Sequence, residues 1–551
     1  MYCYKRIADS AGICALVTAG RESRSITNSF GYPQSSLIFR CYLFQTCSLA
    51  DVPVVATISL HAIIHVSMRF ADLAVIAAYL IFITWFGAQF KEKHATLKDY
   101  FLGGRGAPWW AISFSIVSAE TSTLTVIGTP ALSFAGNMGF LQLILGYLLG
   151  RIVISILFLP QYFRGEMFTA YELMQRRFGP HVRRFTAATF LVLRALAEGV
   201  RVFAISIVIS IVLGTGEIAS IAVIVALTLF YTFEGGMTAV IWTDVVQMFL
   251  YISGALLSFF VILHLIPGGW SHVAAVGSAA GKFQVFDFRV ALSSAFFHRA
   301  YSFWAGLLGG CFLTTASHGT EQLLVQRLLS AKTERDSRWA LFSSWLVVFF
   351  QFALFLLIGI ALYVYSRDSG RPAPAVPERT YPEFIWNHLP IGIAGLVIAA
   401  ILAAAMSNLS AALNALASTT IMDFVRQLRP HSSEEHYLKL ARWATVVWGC
   451  ILFGVGLVAR HWGRVLEAGL SIASVLYGAL LGVFLLGVLT KRPGEGSAIA
   501  GMCAGFIVTF LLRTSVAYTW YVLIGSAVTF GVGYATSFVP IRAFRPEPAQ
   551  S

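Results

Sequence analysis

Six ionisable side chains stand inside segments that are otherwise apolar, and they are the first candidates for chemistry: Glu120, Arg151, Arg194, Glu198, Arg201 and Asp244. Inserting such a group into a membrane costs roughly 2.5–3.5 kcal/mol on insertion scales, so each needs a partner or a function. Glu198 follows Arg194 by four residues and precedes Arg201 by three, which places the three on one helix face. Two interpretations stay open: a self-neutralising ion-pair cluster, or a guanidinium fork that receives an anionic ligand group.

A polar run, SIVSAETSTLTVIGTP (115–130), interrupts another apolar region. A continuous helix there would point hydroxyl groups around its whole circumference, including into lipid. Irregular backbone at membrane depth is tolerated only where it is buried in protein or lines a cavity. Transporters use broken helices of this kind to free backbone groups for ions and solutes. The run therefore predicts a helix break at a binding site, and the alternative is a kink whose Ser and Thr side chains bond carbonyls of the preceding turn.

Small and polar residues also alternate in AAILAAAMSNLSAALNALASTT (399–420). A face made by Ala403 to Ala405, Ser407, Asn408, Ser410 and Asn414 suits close helix packing. The hydroxyl and amide oxygens on the same face would also suit a hard monovalent cation. Both interpretations stay open.

Composition places these patterns in a membrane. The chain of 551 residues is 57% hydrophobic and 12% charged, whereas an average soluble domain carries about 25% charged residues. The formal net charge of +13 comes from basic residues in short loops, so it does not indicate a nucleic-acid partner. No cysteine pair has a CxxC or metal-ligand spacing, so we expect neither a disulfide framework nor a metal cluster.

Apolar windows long enough to cross the bilayer recur along the chain from residue 70 onward. Because backbone groups in lipid must bond within their own segment, and alternating strand patterns are absent, we expect an all-α polytopic membrane protein. The thirteen predicted transmembrane helices cover about 70–90, 108–135, 139–162, 185–213, 217–233, 238–265, 297–316, 339–365, 391–421, 440–459, 467–489, 497–512 and 516–538.

Basic residues predict the orientation. They concentrate in one alternate set of loops, which includes Lys93, Arg176, Arg183, Arg327 and Arg429. The positive-inside rule therefore predicts a cytoplasmic C-terminus in an inner (plasma) membrane.

The chain is expected to divide into three parts. Residues 1–67 are predicted to be a non-native or disordered extension, with translation starting at Met68. Residues 68–545 are predicted to form the transmembrane domain, with a core at about 108–489, and 546–551 a short cytoplasmic tail.

Four motifs in order resemble the sodium–solute symporter family, which includes sodium–glucose, proline and sialic acid symporters. They are DYFLGGRGAPWWAISFSIVSAETST (99–123), GGMTAVIWTDVVQ (235–247), ASHGTEQLLVQRLLSAKTERDSR (316–338) and AAAMSNLSAALNALASTTIMDF (403–424). The resemblance implies an inverted five-plus-five helix repeat as the core, with one helix before it and two after it. It also implies sodium-coupled import of a small organic solute by alternating access.

The resemblance further implies two cation sites. The first comprises the carbonyls of Phe114, Val117 and Ala404 with the side chains of Ser407 and Asn408. Asn408 departs from the family, which usually has Ser or Thr at that position. Asp244 and Ser410, with Ser407, match a second sodium site of some relatives or a release path, although Ala411 lacks the hydroxyl found in some of them.

For the solute, the resemblance implies Ser118, Thr121 and Ser122, with Gln142, Arg194 and Arg201 as further candidates. An arginine in the pocket would favour an organic acid over a neutral sugar. Sodium is expected to be co-transported and not catalytic, and no enzyme motif is present. A proton-coupled symporter acting through Glu120 and Asp244 remains the alternative, while a sensor is disfavoured because about a dozen residues follow the last predicted helix.

Overall fold

The computed structural model describes residues 52–91, 96–164, 167–213, 217–290, 294–370, 377–459 and 465–538. The chain divides into two compact units, Met1–Ser67 and Met68–Ser551, and apart from the start of the first helix the fold below is that of the second. Residues 1–51 and the tail 546–551 lie outside the described residues, so the extension and the tail stay predictions. Among the described residues, regular structure is helical throughout.

The principal helices are α1 Val52–Ala88, α2 Leu97–Leu102, α3 Trp109–Glu120, α4 Thr123–Ala135, α5 Leu141–Leu157, α6 Leu159–Tyr162, α7 Tyr171–Arg177, α8 Pro180–Leu213, α9 Glu217–Leu265, α10 Gly269–Ala279, α11 Ser294–His298, α12 Phe303–Gly319, α13 Gln322–Leu329, α14 Glu334–Asp368, α15 Thr380–His388, α16 Ile393–Thr420, α17 Arg426–Leu428, α18 Glu434–Ala459, α19 Val465–Leu489, α20 Glu495–Leu512 and α21 Tyr521–Thr536.

Every predicted window contains helix, which confirms the all-α prediction. The windows 217–233 and 238–265 belong to one element, α9, which is interrupted at Gly236 (φ 55°, ψ −154°). A Cβ there would lie 2.7 Å from the Tyr100 carbonyl oxygen, so only glycine fits this break. By length and hydropathy, 8 helices of the described chain could cross a membrane, or 9 with one bent pair counted as a span. The number of thirteen spans stays a prediction.

The predicted break lies within the polar run. Helix α3 ends at Glu120 because Thr121 and Ser122 are extended (ψ 109° and 171°), and α4 restarts at Thr123 with a bend of 64°. The Ser122 amide, left free by the break, donates to Thr125 Oγ1 at 3.3 Å. The polar side chains therefore provide hydrogen-bond partners for backbone amides at a helix start inside the protein.

A second break separates α12 from α13, and sequence analysis missed it because it placed a loop after residue 316. Thr320 leaves helical geometry (φ −131°, ψ −15°) and Glu321 is extended (φ −88°, ψ 128°). Ten predicted transmembrane helices extend from 108–135 to 467–489. The interrupted ones are the first, which comprises α3 and α4, and the sixth, which comprises α12 and α13. Interruptions at corresponding positions of two halves are the signature of an inverted-repeat transporter core.

Helix α16 runs through the interior beside the first break. It contacts α3, α4, α9 and α13, and its small side chains from Ala399 to Ser418 are buried. The Asp72 carboxylate accepts the amides of Gly392 and Gly395 at 2.7 and 2.8 Å, which caps the positive end of this helix. A closely packed helix therefore lies against the break.

Candidate functional site

A cavity of about 140 Å³ lies between the two helix breaks. The first break contributes Glu120 and Ser122, the second contributes His318 and Glu321, and α8 contributes Arg194 and Arg201. Aromatic side chains close it: Tyr147, Phe352 and Tyr477. The cavity therefore combines a few charged groups with an apolar wall, which is the usual make-up of a small-molecule site.

The α8 charges form one connected network at the cavity. Arg194 lies 2.9 Å from Glu198 and 3.1 Å from Glu321, and Arg201 lies 3.1 Å from Glu198. The Tyr477 hydroxyl also donates to Glu321. Two guanidinium groups thus share two carboxylates, so the ion-pair interpretation is correct for these side chains. Two of its members, Arg194 and Arg201, also line the cavity.

A second charged cluster also borders the cavity, through Glu120 and His318. Glu120 is 2.9 Å from Arg151, and His318 Nε2 is 3.2 Å from the same carboxylate oxygen. Ser317 Oγ lies 2.8 Å from His318 Nδ1. The intramembrane Glu120 and Arg151 are therefore partners, although α3 and α5 contribute them separately.

The two segments of the predicted sodium site are in contact. Ser118 Oγ of α3 and Ser407 Oγ of α16 lie 2.6 Å apart, and both are buried. The carbonyls of Phe114 and Val117 come from α3 and that of Ala404 from α16, one turn from Ser407. The Val117 carbonyl accepts the Thr121 amide and hydroxyl at 3.0 and 2.8 Å.

Asn408 bridges the break and α8. Its amide Nδ2 donates to the Ala119 carbonyl at 2.5 Å, an acceptor that the end of α3 leaves without its helical partner. Its Oδ1 accepts from Arg194 at 3.2 Å. The predicted sodium-site side chain is therefore also a neighbour of the cavity network.

Asp244 is buried and fully hydrogen-bonded. Its Oδ1 accepts from Ser407 at 2.6 Å, and its Oδ2 accepts from Ser115 at 2.5 Å and from Arg327 at 2.8 Å. Sequence analysis counted Arg327 among loop residues, and that was wrong, because it is buried on α13 as the partner of Asp244. Ser410, the other second-site candidate, donates to the Ser407 carbonyl at 3.0 Å.

The solute candidates fall into two groups. Ser122, Arg194 and Arg201 line the cavity. Ser118 and Thr121 bond Ser407 and Gln351, and Gln142 donates to the Gly139 and Tyr301 carbonyls and accepts the Asp287 amide. These last three are not among the residues that line the cavity.

Sequence reasoning missed the second wall of the site. His318 and Glu321 lie within the motif HGTEQ, and Tyr477 lies in an apolar helix. Glu321 was detectable, because an acid that follows Gly and Thr between apolar runs fits a second helix break. Nothing near Tyr477 distinguishes it from other apolar-helix tyrosines.

Comparisons with known proteins find a matching family and several relatives. The sodium:solute symporter family matches residues 100–505. The sodium/sialic acid symporter SiaT of Proteus mirabilis is 28% identical over 86% of this chain and 96% of its own. The human sodium-coupled monocarboxylate transporter 2 is 29% identical over 80% of this chain and 71% of its own.

A solved structure has the same fold. It is the substrate-bound, outward-open state of a Na⁺-coupled sialic acid symporter, with a TM-score of 0.77 and 27% identity over 85% of this chain and 97% of that one. The family match at 100–505 extends through both interrupted helices, and the sodium-coupled relatives support sodium over protons as the coupling ion. The chain belongs to the sodium:solute symporter family and is a sodium-coupled membrane transporter, not an enzyme.

Proposed function

We propose that the transporter imports a small monocarboxylate with sodium, and that Arg201 receives the carboxylate. The cavity of about 140 Å³ with Arg201 in its wall is the observation that carries this proposal.

Arg201 is the more available of the two α8 arginines. Its side chain is 23% exposed, against 4% for Arg194. Its single carboxylate partner among the described residues, Glu198, is shared with Arg194, whereas Arg194 also contacts Glu321 and Asn408; the Nε atoms of both arginines have no hydrogen-bond partner among the described residues. A planar guanidinium with free donors suits a carboxylate.

The cavity volume favours a small solute. An engineered protein cavity of about 150 Å³ binds benzene, and pyruvate or lactate has the same number of non-hydrogen atoms as benzene. A sialic acid is several times larger. The two named relatives carry monocarboxylates and sialic acid, so an acidic solute agrees with both and a monocarboxylate agrees with the volume. Ser122 would hold a substituent oxygen, and Ser118, Thr121 and Gln142 remain candidates in a wider conformation.

We place sodium between the first break and α16, where the carbonyls of Phe114, Val117 and Ala404 and the side chains of Ser407 and Asn408 would ligate it. Asp244 with Ser410 would form a second site or release path. Sodium drives uptake only as far as it binds the two conformations with different affinity. A membrane potential adds about 2.3 kcal/mol per charge per 100 mV for inward sodium. We place the transporter in the plasma membrane, with its C-terminus in the cytoplasm.

Thermal unfolding of the purified full chain in detergent tests the proposal. L-lactate, N-acetylneuraminate and glucose would each be added in sodium and in potassium buffer. A ligand at 100 times its dissociation constant adds about 2.7 kcal/mol of stability. We expect lactate to raise the melting temperature in sodium and to have little effect in potassium. Stabilisation by glucose alone would contradict the carboxylate site, and equal effects of lactate in both buffers would contradict sodium coupling at this site.

A further inference from the structure

Asn408 joins the proposed sodium site to the proposed solute site. We propose that Asn408 holds Arg194 when sodium is absent, and that sodium takes over the Asn408 oxygen and thereby releases Arg201 for the solute. This inference rests on the proposed function, since it assigns the coupling between its two sites.

The first step depends on one nitrogen of Arg194 that Asn408 and Glu198 share. Arg194 Nη2 lies 3.2 Å from Asn408 Oδ1 and 2.9 Å from Glu198 Oε2. When Asn408 turns its oxygen to a cation, Glu198 becomes the remaining acceptor for this nitrogen. A sodium ion on the same oxygen also repels the guanidinium, because both are cations within a buried space.

The second step is a shared oxygen. Glu198 Oε2 contacts both Arg194 Nη2 and Arg201 Nη1, at 2.9 and 3.1 Å. A stronger contact with Arg194 weakens the hold of this oxygen on Arg201. Arg201 already borders the cavity, so its released donors face the solute.

The length of the Asn408 side chain is what makes this connection. Its amide reaches the Ala119 carbonyl on one side and Arg194 on the other. A serine hydroxyl ends one atom earlier and carries no second polar atom, so it could ligate sodium without holding Arg194. Substitution by serine therefore separates the two roles of the residue.

The test measures L-lactate affinity of the full chain in sodium and in potassium buffer. In the Asn408→Ser variant, Arg194 has no Asn408 oxygen to bind in either buffer. We therefore expect the lactate affinity of this variant in potassium to rise about fivefold or more, toward the wild-type value in sodium. Asn408→Thr should behave alike and fills more of the vacated volume, which guards against a folding defect in one variant. Asn414→Ser on the same helix, whose oxygen binds Gln326, is the control and should keep the wild-type sodium effect.

The outcomes separate this inference from the proposed function. Wild-type protein whose lactate affinity ignores sodium would contradict both. A wild-type sodium effect that persists unchanged in both Asn408 variants would overturn the Asn408 connection alone. Loss of affinity in sodium with no gain in potassium would also overturn it, since that pattern is expected of a simple sodium ligand.

Discussion

Asp244 and Arg327 form an ion pair of 2.8 Å in which both side chains are buried, although 83 residues separate them in the chain. The Ser115 hydroxyl binds both partners, and Ser407 binds the other Asp244 oxygen. The pair thereby joins α9 and α13 to α3 and α16 beside the proposed sodium site.

Removal of one member of this pair should destabilise the protein strongly. Arg327→Met leaves the Asp244 carboxylate buried without its counter-charge, which costs about 3–5 kcal/mol. We expect Asp244→Asn with Arg327→Met to recover much of that loss. The measurement is the free energy of unfolding in detergent. Arg338→Gln removes an exposed pair with Glu334 and should cost less than about 1 kcal/mol; equal losses at the two sites would contradict the prediction.

Close contact between α5 and α12 should not tolerate a methyl group. A Cβ at Gly310 would lie 2.2 Å from the Leu143 carbonyl oxygen, so the helices must separate. We expect Gly310→Ala to lower the free energy of unfolding by about 1–3 kcal/mol. Gly454→Ala on α18 is the matched control, because its Cβ meets nothing within 4 Å and alanine favours helix. Similar effects of the two changes would disprove the packing argument.

Glu172, on the short helix α7 outside the spans, should make stability depend on pH. Burial raises the pKa of its carboxyl, against the lowering effect of Arg183 at 3.5 Å. The folded state therefore holds the proton more tightly than the unfolded state, in which the carboxyl has its ordinary pKa of 4.5. Its contribution to stability is present below that value and is lost as pH rises through the raised folded pKa.

The measurement is the melting temperature of the wild type and of Glu172→Gln below and above pH 4.5, which shows whether stability falls as the pH rises. Glutamine stays uncharged, so the variant should lose less stability than the wild type as pH rises above 4.5. A wild type whose relative stability instead increases with pH would show that Arg183 outweighs burial.

Substitutions of Arg201 should separate the contribution of its charge to solute binding from that of its planar geometry. Arg201→Lys keeps the positive charge but loses the planar fork, and Arg201→Gln loses both. We expect lactate affinity in sodium to fall about tenfold for lysine and further for glutamine, since a hydrogen bond to a charged group contributes about 1.5–3 kcal/mol. Arg184→Gln, an exposed position on the same helix, is the control. Unchanged lactate binding in both Arg201 variants would transfer the role to another residue.

Local sequence predicted much of the fold and part of the site. The low charge content and long apolar windows require membrane helices, and the Ser- and Thr-rich run 115–130 predicted the first break, because both follow from the cost of polar groups in hydrocarbon. The spacing of Arg194, Glu198 and Arg201 predicted their ion pairs, since the three share one helix face.

Tertiary structure alone decided which distant groups meet. Arg327 lies within the motif 316–338 and was predicted to be in a loop, and only the packing of α13 against α3 places it beside Asp244 of α9. Asn408 and Arg194 are 214 residues apart and bond because α16 lies beside α8. The same packing brings Glu321 and Tyr477 into the cavity wall. Local composition determines where a helix forms, but partners depend on the mutual orientation of helices, which no single segment specifies.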